Sequence, residues 1–224
     1  ESQELEIWPW VIKIHTLGHF EILCNDIPLQ SSIKTQHKPL DLLKCLCAYG
    51  GHAVNRNRLI DALWPDAEGD DGERALRTTL HRLRKLLKQD ESILLEGHHL
   101  SLNPGYIWVD CLAFDRIAHR PDITDRVSLQ HALNRYRGNF LEGETSSWAL
   151  ACRSRLRNHH MSLSERFGQL LERDNNWSDA AACYVRAIEI NPVAETFYCR
   201  LMNAYAHLGR RAEALAVYQG WRQS

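Results

Sequence analysis

Residues 73–89 constrain this chain more than any other stretch. On a helix, at about 100° per residue, the run ERALRTTLHRLRKLL (Glu73–Leu87) gathers Leu76, Leu80, Leu83 and Leu87 into one narrow arc. Such an arc has to be buried against other elements. Arg74, Thr78, His81, Arg82, Lys85 and Gln89 fall on the opposite side, and Arg77, Arg84 and Lys88 flank the stripe. From Arg74 to Lys88 there are six basic residues and no acid, the acids being crowded just upstream in DAEGDDGE. Overall charge hides this: the chain sums to −1, and its first 110 residues, with 12 basic against 16 acidic side chains, carry −4. Phosphate contacts depend on local charge, not on the sum.

A basic helix face has two readings. It can be a solvated surface that keeps a helix soluble, or it can enter a major groove, where Arg and Lys donate to guanine edges or neutralise phosphates. The flanking sequence favours the second. KPLDLLKCLCAYGG spaces Leu40, Leu43 and Cys47 as a helix, widened by Leu42 and Leu46 and stopped at Gly50-Gly51. Arg56–Trp64 places Leu59, Ile60 and Leu63 on one face, with Asn55 as N-cap and Pro65 as stop. After the basic helix, Ile93–Leu95 and Leu100–Leu102 form two β-type runs joined through Glu96-Gly97-His98-His99. Two helices, a third basic helix and a hairpin are the layout of a winged helix-turn-helix.

The rest of the chain divides around that unit. VIKIHTLGHFEILCNDIPL alternates as strands with a turn at Asn25-Asp26, which predicts a small antiparallel sheet. Beyond the hairpin the remainder reads as helical throughout. There, a shift of 34 residues aligns DNNWSDAAACYVRA with HLGRRAEALAVYQG, so that Asn175 meets Gly209, Asp179 meets Glu213, Ala180 meets Ala214 and Tyr184 meets Tyr218. Thirty-four is the tetratricopeptide period, with Asn191-Pro192 closing one unit. The fold class predicted is an α+β winged helix-turn-helix domain (residues 1–110) followed by an all-α tetratricopeptide-like domain (residues 111–224).

Other chemistry lacks its motifs. No phosphate-binding glycine loop and no G-x-S-x-G is present, so neither nucleotide hydrolysis nor serine-type catalysis is expected, and no catalytic residue or cofactor is assigned. Asp66, Glu68, Asp70 and Asp71 share one connection and suit the positive end of the basic helix. His98-His99, His159-His160 and Cys45-x-Cys47 invite a metal, but no C-x2-C pair occurs, and no metal site is expected. The seven cysteines read as reduced, small core residues. Trp64, Trp108, Trp148, Trp177 and Trp221 read as packing, with a ligand groove as the alternative. No stretch has a spanning helix's length of apolar residues, and the N-terminus is unlike a signal peptide, so a cytoplasmic protein without membrane contact is expected. The first residue is Glu, which leaves a fragment of a longer chain open as a reading.

LGHFEILCNDIPL, KPLDLLKCLCAYGGHAVNRNRLIDALWPDA, ERALRTTLHRLRKLL and LSLNPGYIWVDCLAFDRI together resemble the SARP family of bacterial transcription activators. That family joins an OmpR-type winged helix to a bacterial transcriptional activator domain of tetratricopeptide-like helices. The resemblance covers nearly all of the chain after residue 10, and is most specific at Leu63–Asp66 and in the A-L-R…L-R-K segment. It implies an N-terminal strand set, a recognition helix in the major groove and a wing near the minor groove. The recognition contacts would fall on Arg74, Thr78, His81, Arg82 and Lys85, with Arg77, Arg84 and Lys88 toward phosphate. His81 departs from the basic residue common at its place, and the wing carries His98 and His99 where a permanent cation would serve minor-groove insertion.

The implied partners are double-stranded DNA, RNA polymerase and a second protomer in a homodimer on repeated sites. Two other readings stay open: a winged-helix adaptor that binds protein, which would want a balanced charge on the recognition face, and the output fragment of a larger signalling protein.

Overall fold

The computed structural model describes residues 8–29, 37–68 and 70–222. Gly69, within the acidic connection, lies outside the described residues. The chain divides into two compact units, one of residues 1–113 and 140–153, the other of residues 114–139 and 154–224.

In the first unit, β1 (Ile12–His15), β2 (Glu21–Cys24) and β3 (Ile27–Pro28) form an antiparallel run, with Ile12 opposite Cys24 and Cys24 opposite Ile27. Asn25 and Asp26 both have positive φ, 50° and 62°, as a two-residue hairpin turn of the twist-matched type requires. The sheet is not wholly antiparallel, however. A fourth strand that the sequence did not announce, β7 (Ile107–Val109), runs parallel to β1 and gives the order β3-β2-β1-β7. Three helices fill the interval between: α1 (His37–Ala48), α2 (Arg56–Leu63) and α3 (Asp71–Leu87). A second sheet follows the order β4 (Val54–Asn55), β6 (His99–Leu102), β5 (Ile93–Glu96). The wing turn is therefore only Gly97-His98, because Glu96 and His99 pair with each other instead of lying in the loop.

Asp110, the first residue of α4 (Asp110–Ala118), is buried and accepts from the N–H groups of Thr16, Leu17 and Cys111 and from the Thr16 hydroxyl. Burial pushes its carboxyl pKa up, and these donors pull against that. The chain after β7 is not continuously helical: Phe140 bridges to Leu17 and Leu141 N–H donates to the Thr16 carbonyl at 2.8 Å, which ties residues 140–153 to the first unit.

The second unit is all helix: α5 (Arg126–Arg135), the later turns of α6 (Ser147–Arg173), α7 (Trp177–Ile190), α8 (Glu195–His207) and α9 (Arg211–Trp221). The 34-residue repeat has a backbone signature. Asn175 and Gly209 both lie at positive φ, 55° and 72°. The next residues, Asn176 and Arg210, each donate N–H to the carbonyl five residues back, Leu171 and Tyr205. The two repeats differ in cover, since Ala180 and Tyr184 are buried whereas their counterparts Ala214 and Tyr218 are not.

His160, in α6, is 1% exposed and lies against the Tyr136 ring at 4.6 Å. Burial, with the Arg186 charge adding to it, pushes its pKa down to about 3 from the usual 6.5. The neutral ring thus stabilises the fold above pH 6.5, and that contribution is lost as pH falls from 6.5 toward 3. At pH 5 the loss is about 2 kcal/mol. Melting at pH 7.5 and pH 5 should show His160→Gln losing less stability on acidification than the parent chain. An equal loss in both would rule this buried ring out as the acid-sensitive group.

Candidate nucleic-acid interface

The helix-turn-helix is assembled by leucines. Leu40, Leu42, Leu43 and Leu46 of α1, Leu59 and Leu63 of α2, and Leu76, Leu80, Leu83, Leu86 and Leu87 of α3 are all buried. α3 packs on both α1 and α2. Asn55 caps α2 through its side chain, which accepts from Asn57 N–H at 2.8 Å. Burying the leucine arc fixes the rotation of α3, and with it which side chains face water.

Arg74, Arg77, Thr78, His81, Arg82, Lys85 and Lys88 are all exposed. Arg74 is not without an acid, since its guanidinium meets Asp71 at 2.6 Å one turn earlier. Both side chains are largely solvated, so the pair is worth little and yields readily to a phosphate. The Thr78 hydroxyl donates to the Arg74 carbonyl at 2.9 Å, which leaves its oxygen free to accept.

Arg84 behaves differently from its neighbours. It is half-buried and donates to the Ile93 carbonyl at 2.6 Å, so it ties α3 to the first wing strand and stands apart from the exposed face. Helical periodicity could not separate it from Arg77 and Lys88, because the acceptor belongs to a strand nine residues on.

His98 and His99 are exposed at the wing turn and the start of β6. His98 Nδ1 accepts from Arg56 at 3.0 Å, which leaves Nε2 as the ring's outward donor. Arg56 also meets Glu73 of α3 at 3.2 Å, and its N–H donates to the His98 carbonyl. One residue at the start of α2 therefore links the wing tip to α3. The sequence reading did not single it out; its only signal was a place directly after the Asn55 cap.

The remaining candidates sort cleanly. Cys45, Cys47, Cys111 and Cys152 are buried free thiols, while Cys199 is exposed. Trp108 packs with Trp10 and Ala113, Trp148 is buried, and Trp177 stacks on His207 with ring centroids 3.8 Å apart. A cavity of about 260 Å³ in the helical unit is lined by Leu133, His160, Phe167, Cys183 and Arg186 among others, none of them tryptophan. His159 and His160 are not a pair: His160 turns into the core, whereas His159 meets Asp115. No helix among the described residues is long and apolar enough to cross a membrane.

A three-helix core presenting a basic helix beside a β-wing, followed by stacked helical hairpins, has the build of a transcription factor. Comparison with known proteins agrees. Residues 115–224 match the bacterial transcriptional activator domain, and residues 30–99 match the family described as transcriptional regulatory protein, C terminal; neither is a catalytic family. The regulatory proteins AfsR of Streptomyces griseus and of Streptomyces coelicolor are each 27% identical over 81% of this chain. The chain spans 19% of the length of these curated relatives. A solved structure of Mycobacterium tuberculosis EmbR in complex with a low-affinity phosphopeptide shares the fold, with a TM-score of 0.67 over 95% of this chain and 59% of that one at 19% identity. The chain is a SARP-like regulator that joins a winged helix-turn-helix of the transcriptional regulatory protein, C-terminal family to a bacterial transcriptional activator domain.

Proposed function

We propose that this chain reads a promoter site through α3 and recruits RNA polymerase through its helical part, with residues 1–110 serving DNA and residues 111–224 serving protein contacts. The observation that carries the reading is the exposed face of α3, cationic and hydrogen-bonding from Arg74 to Lys88, held in one orientation by the buried leucine arc. Arg74, Thr78, His81, Arg82 and Lys85 face base edges in the major groove, and Arg77 and Lys88 meet flanking phosphates. Arg84 positions α3 against the wing through the Ile93 carbonyl. His98 and His99 approach the adjacent minor groove, where the His98 Nε2 donor suits the acceptors exposed there. Two protomers side by side on direct repeats, working in the cytoplasm, complete the proposal.

The test is selection of the purified chain against a random double-stranded library. Enrichment of one motif, present as two spaced copies and bound less tightly as salt rises, is the expected result. Enrichment of a single copy would remove the second protomer. Absence of binding even at low salt would overturn DNA recognition by this chain and favour a protein-binding winged helix.

A further inference from the structure

The helical unit brings together three ligand-type side chains that no local motif announces. Asp115 of α4 and His119, directly after that helix, are four residues apart, so one helical turn sets them on the same side. His159 arrives from α6. Asp115 Oδ1 lies 2.7 Å from His159 Nδ1 and 3.8 Å from His119 Nδ1, and one ligand atom from each residue lies within 4.8 Å of the others. The two imidazole rings stand edge to face with centroids 4.7 Å apart. Arg155 holds the other carboxylate oxygen, Oδ2.

We propose that Asp115, His119 and His159 bind a divalent first-row transition ion of the zinc type. Two imidazole nitrogens and one carboxylate oxygen suit Zn, Co or Ni better than Mg or Ca, which prefer oxygen alone. Bonds of about 2.0–2.1 Å in a tetrahedral site set neighbouring ligand atoms about 3.3 Å apart. The observed 2.7 and 3.8 Å separations bracket that value, so small side-chain rotations suffice.

Both Nδ1 atoms face acceptors, the Asp115 carboxylate for His159 and the Asp115 backbone carbonyl, at 2.8 Å, for His119. Each ring proton therefore sits on Nδ1. Binding moves it to Nε2 and gives the Nδ1 lone pair to the ion, with no change of oxidation state. Arg155 keeps Oδ2, which orients the carboxylate as an outer partner does in known metal sites, while its charge moderates affinity. His119 is 62% exposed, which provides an entry path and leaves room for water in the remaining position. A bound ion would fasten the end of α4 to α6 and so stabilise the helical unit by mass action.

The test uses the whole chain, stripped with chelator and titrated with Co2+ and then Zn2+. Visible d–d absorption saturating at one equivalent of Co2+ and displaced by Zn2+ is expected, together with a Zn2+-dependent rise in melting temperature. His119→Ala, at an exposed position, should fold normally, abolish the thermal rise and weaken binding by more than the about 10- to 100-fold that loss of an outer partner costs. His131→Ala, exposed on α5, should leave both unchanged. Equal uptake by the parent chain and His119→Ala, or no stoichiometric uptake at all, would overturn the site.

Discussion

Arg82→Ala combined with Lys85→Ala is expected to weaken binding to the preferred duplex by about 100-fold or more, with the fold intact. The size follows from two lost contacts of about 1–3 kcal/mol each if both residues reach base edges. Both side chains are exposed on the outer face of α3 and support no buried element, so the unfolding midpoint should stay near the parent value. The salt series assigns their roles. Each cation that neutralises a phosphate contributes about 0.9 to the log–log slope, whereas a base reader changes sequence preference and leaves the slope nearly unaltered. Measuring each single variant on the selected motif and on a scrambled duplex separates the two. Unaltered affinity in the double variant would remove α3 as the reading element.

Gly168→Ala is expected to destabilise the helical unit by about 2–4 kcal/mol. A Cβ at this position would come within 2.5 Å of the Tyr184 ring at Cζ, so α6 and α7 meet where only a hydrogen fits. The ring has nowhere to go: Tyr184 is fully buried, and its hydroxyl donates to Glu172 at 2.6 Å. Glu172 in turn accepts from Arg200 of α8 at 3.1 Å, so displacing the ring disturbs three helices at once. Overpacking of this kind costs about 1–3 kcal/mol, and the strained Tyr184–Glu172 bond adds about 1. Urea unfolding measures it, and Gly168→Ala with Tyr184→Leu should regain part of the loss. A midpoint within about 0.5 kcal/mol of the parent would show that the helices can part freely.

The features legible in the sequence are those fixed by local geometry. The α3 leucine arc, the Asn55 cap, the Asn25-Asp26 turn and the 34-residue match of Asn175 with Gly209 depend on period or backbone preference within a few residues, and each has its structural counterpart. The missed features are set by partners far along the chain. Ile107–Val109 is a strand because β1 is there to receive it, and the two residues of β4 because β6 is. Phe140 belongs with the first unit through its bridge to Leu17.

The same division runs through the candidate interface. Helical period placed the exposed cations correctly, yet it could not show that Arg84 is committed to Ile93 or that Arg56 holds His98. Nor could residue spacing show that His159 parts from His160 to meet Asp115, because that meeting joins helices 44 residues apart.

The most direct measurement is a photo-crosslink from α3 itself. A photoreactive side chain at Thr78, small, exposed and central on the recognition face, should crosslink efficiently to bases inside the selected motif. The same group at Ile27, 69% exposed on β3, should give little or none. Crosslinking from Ile27 and not from Thr78, with DNA still bound, would contradict major-groove reading by α3.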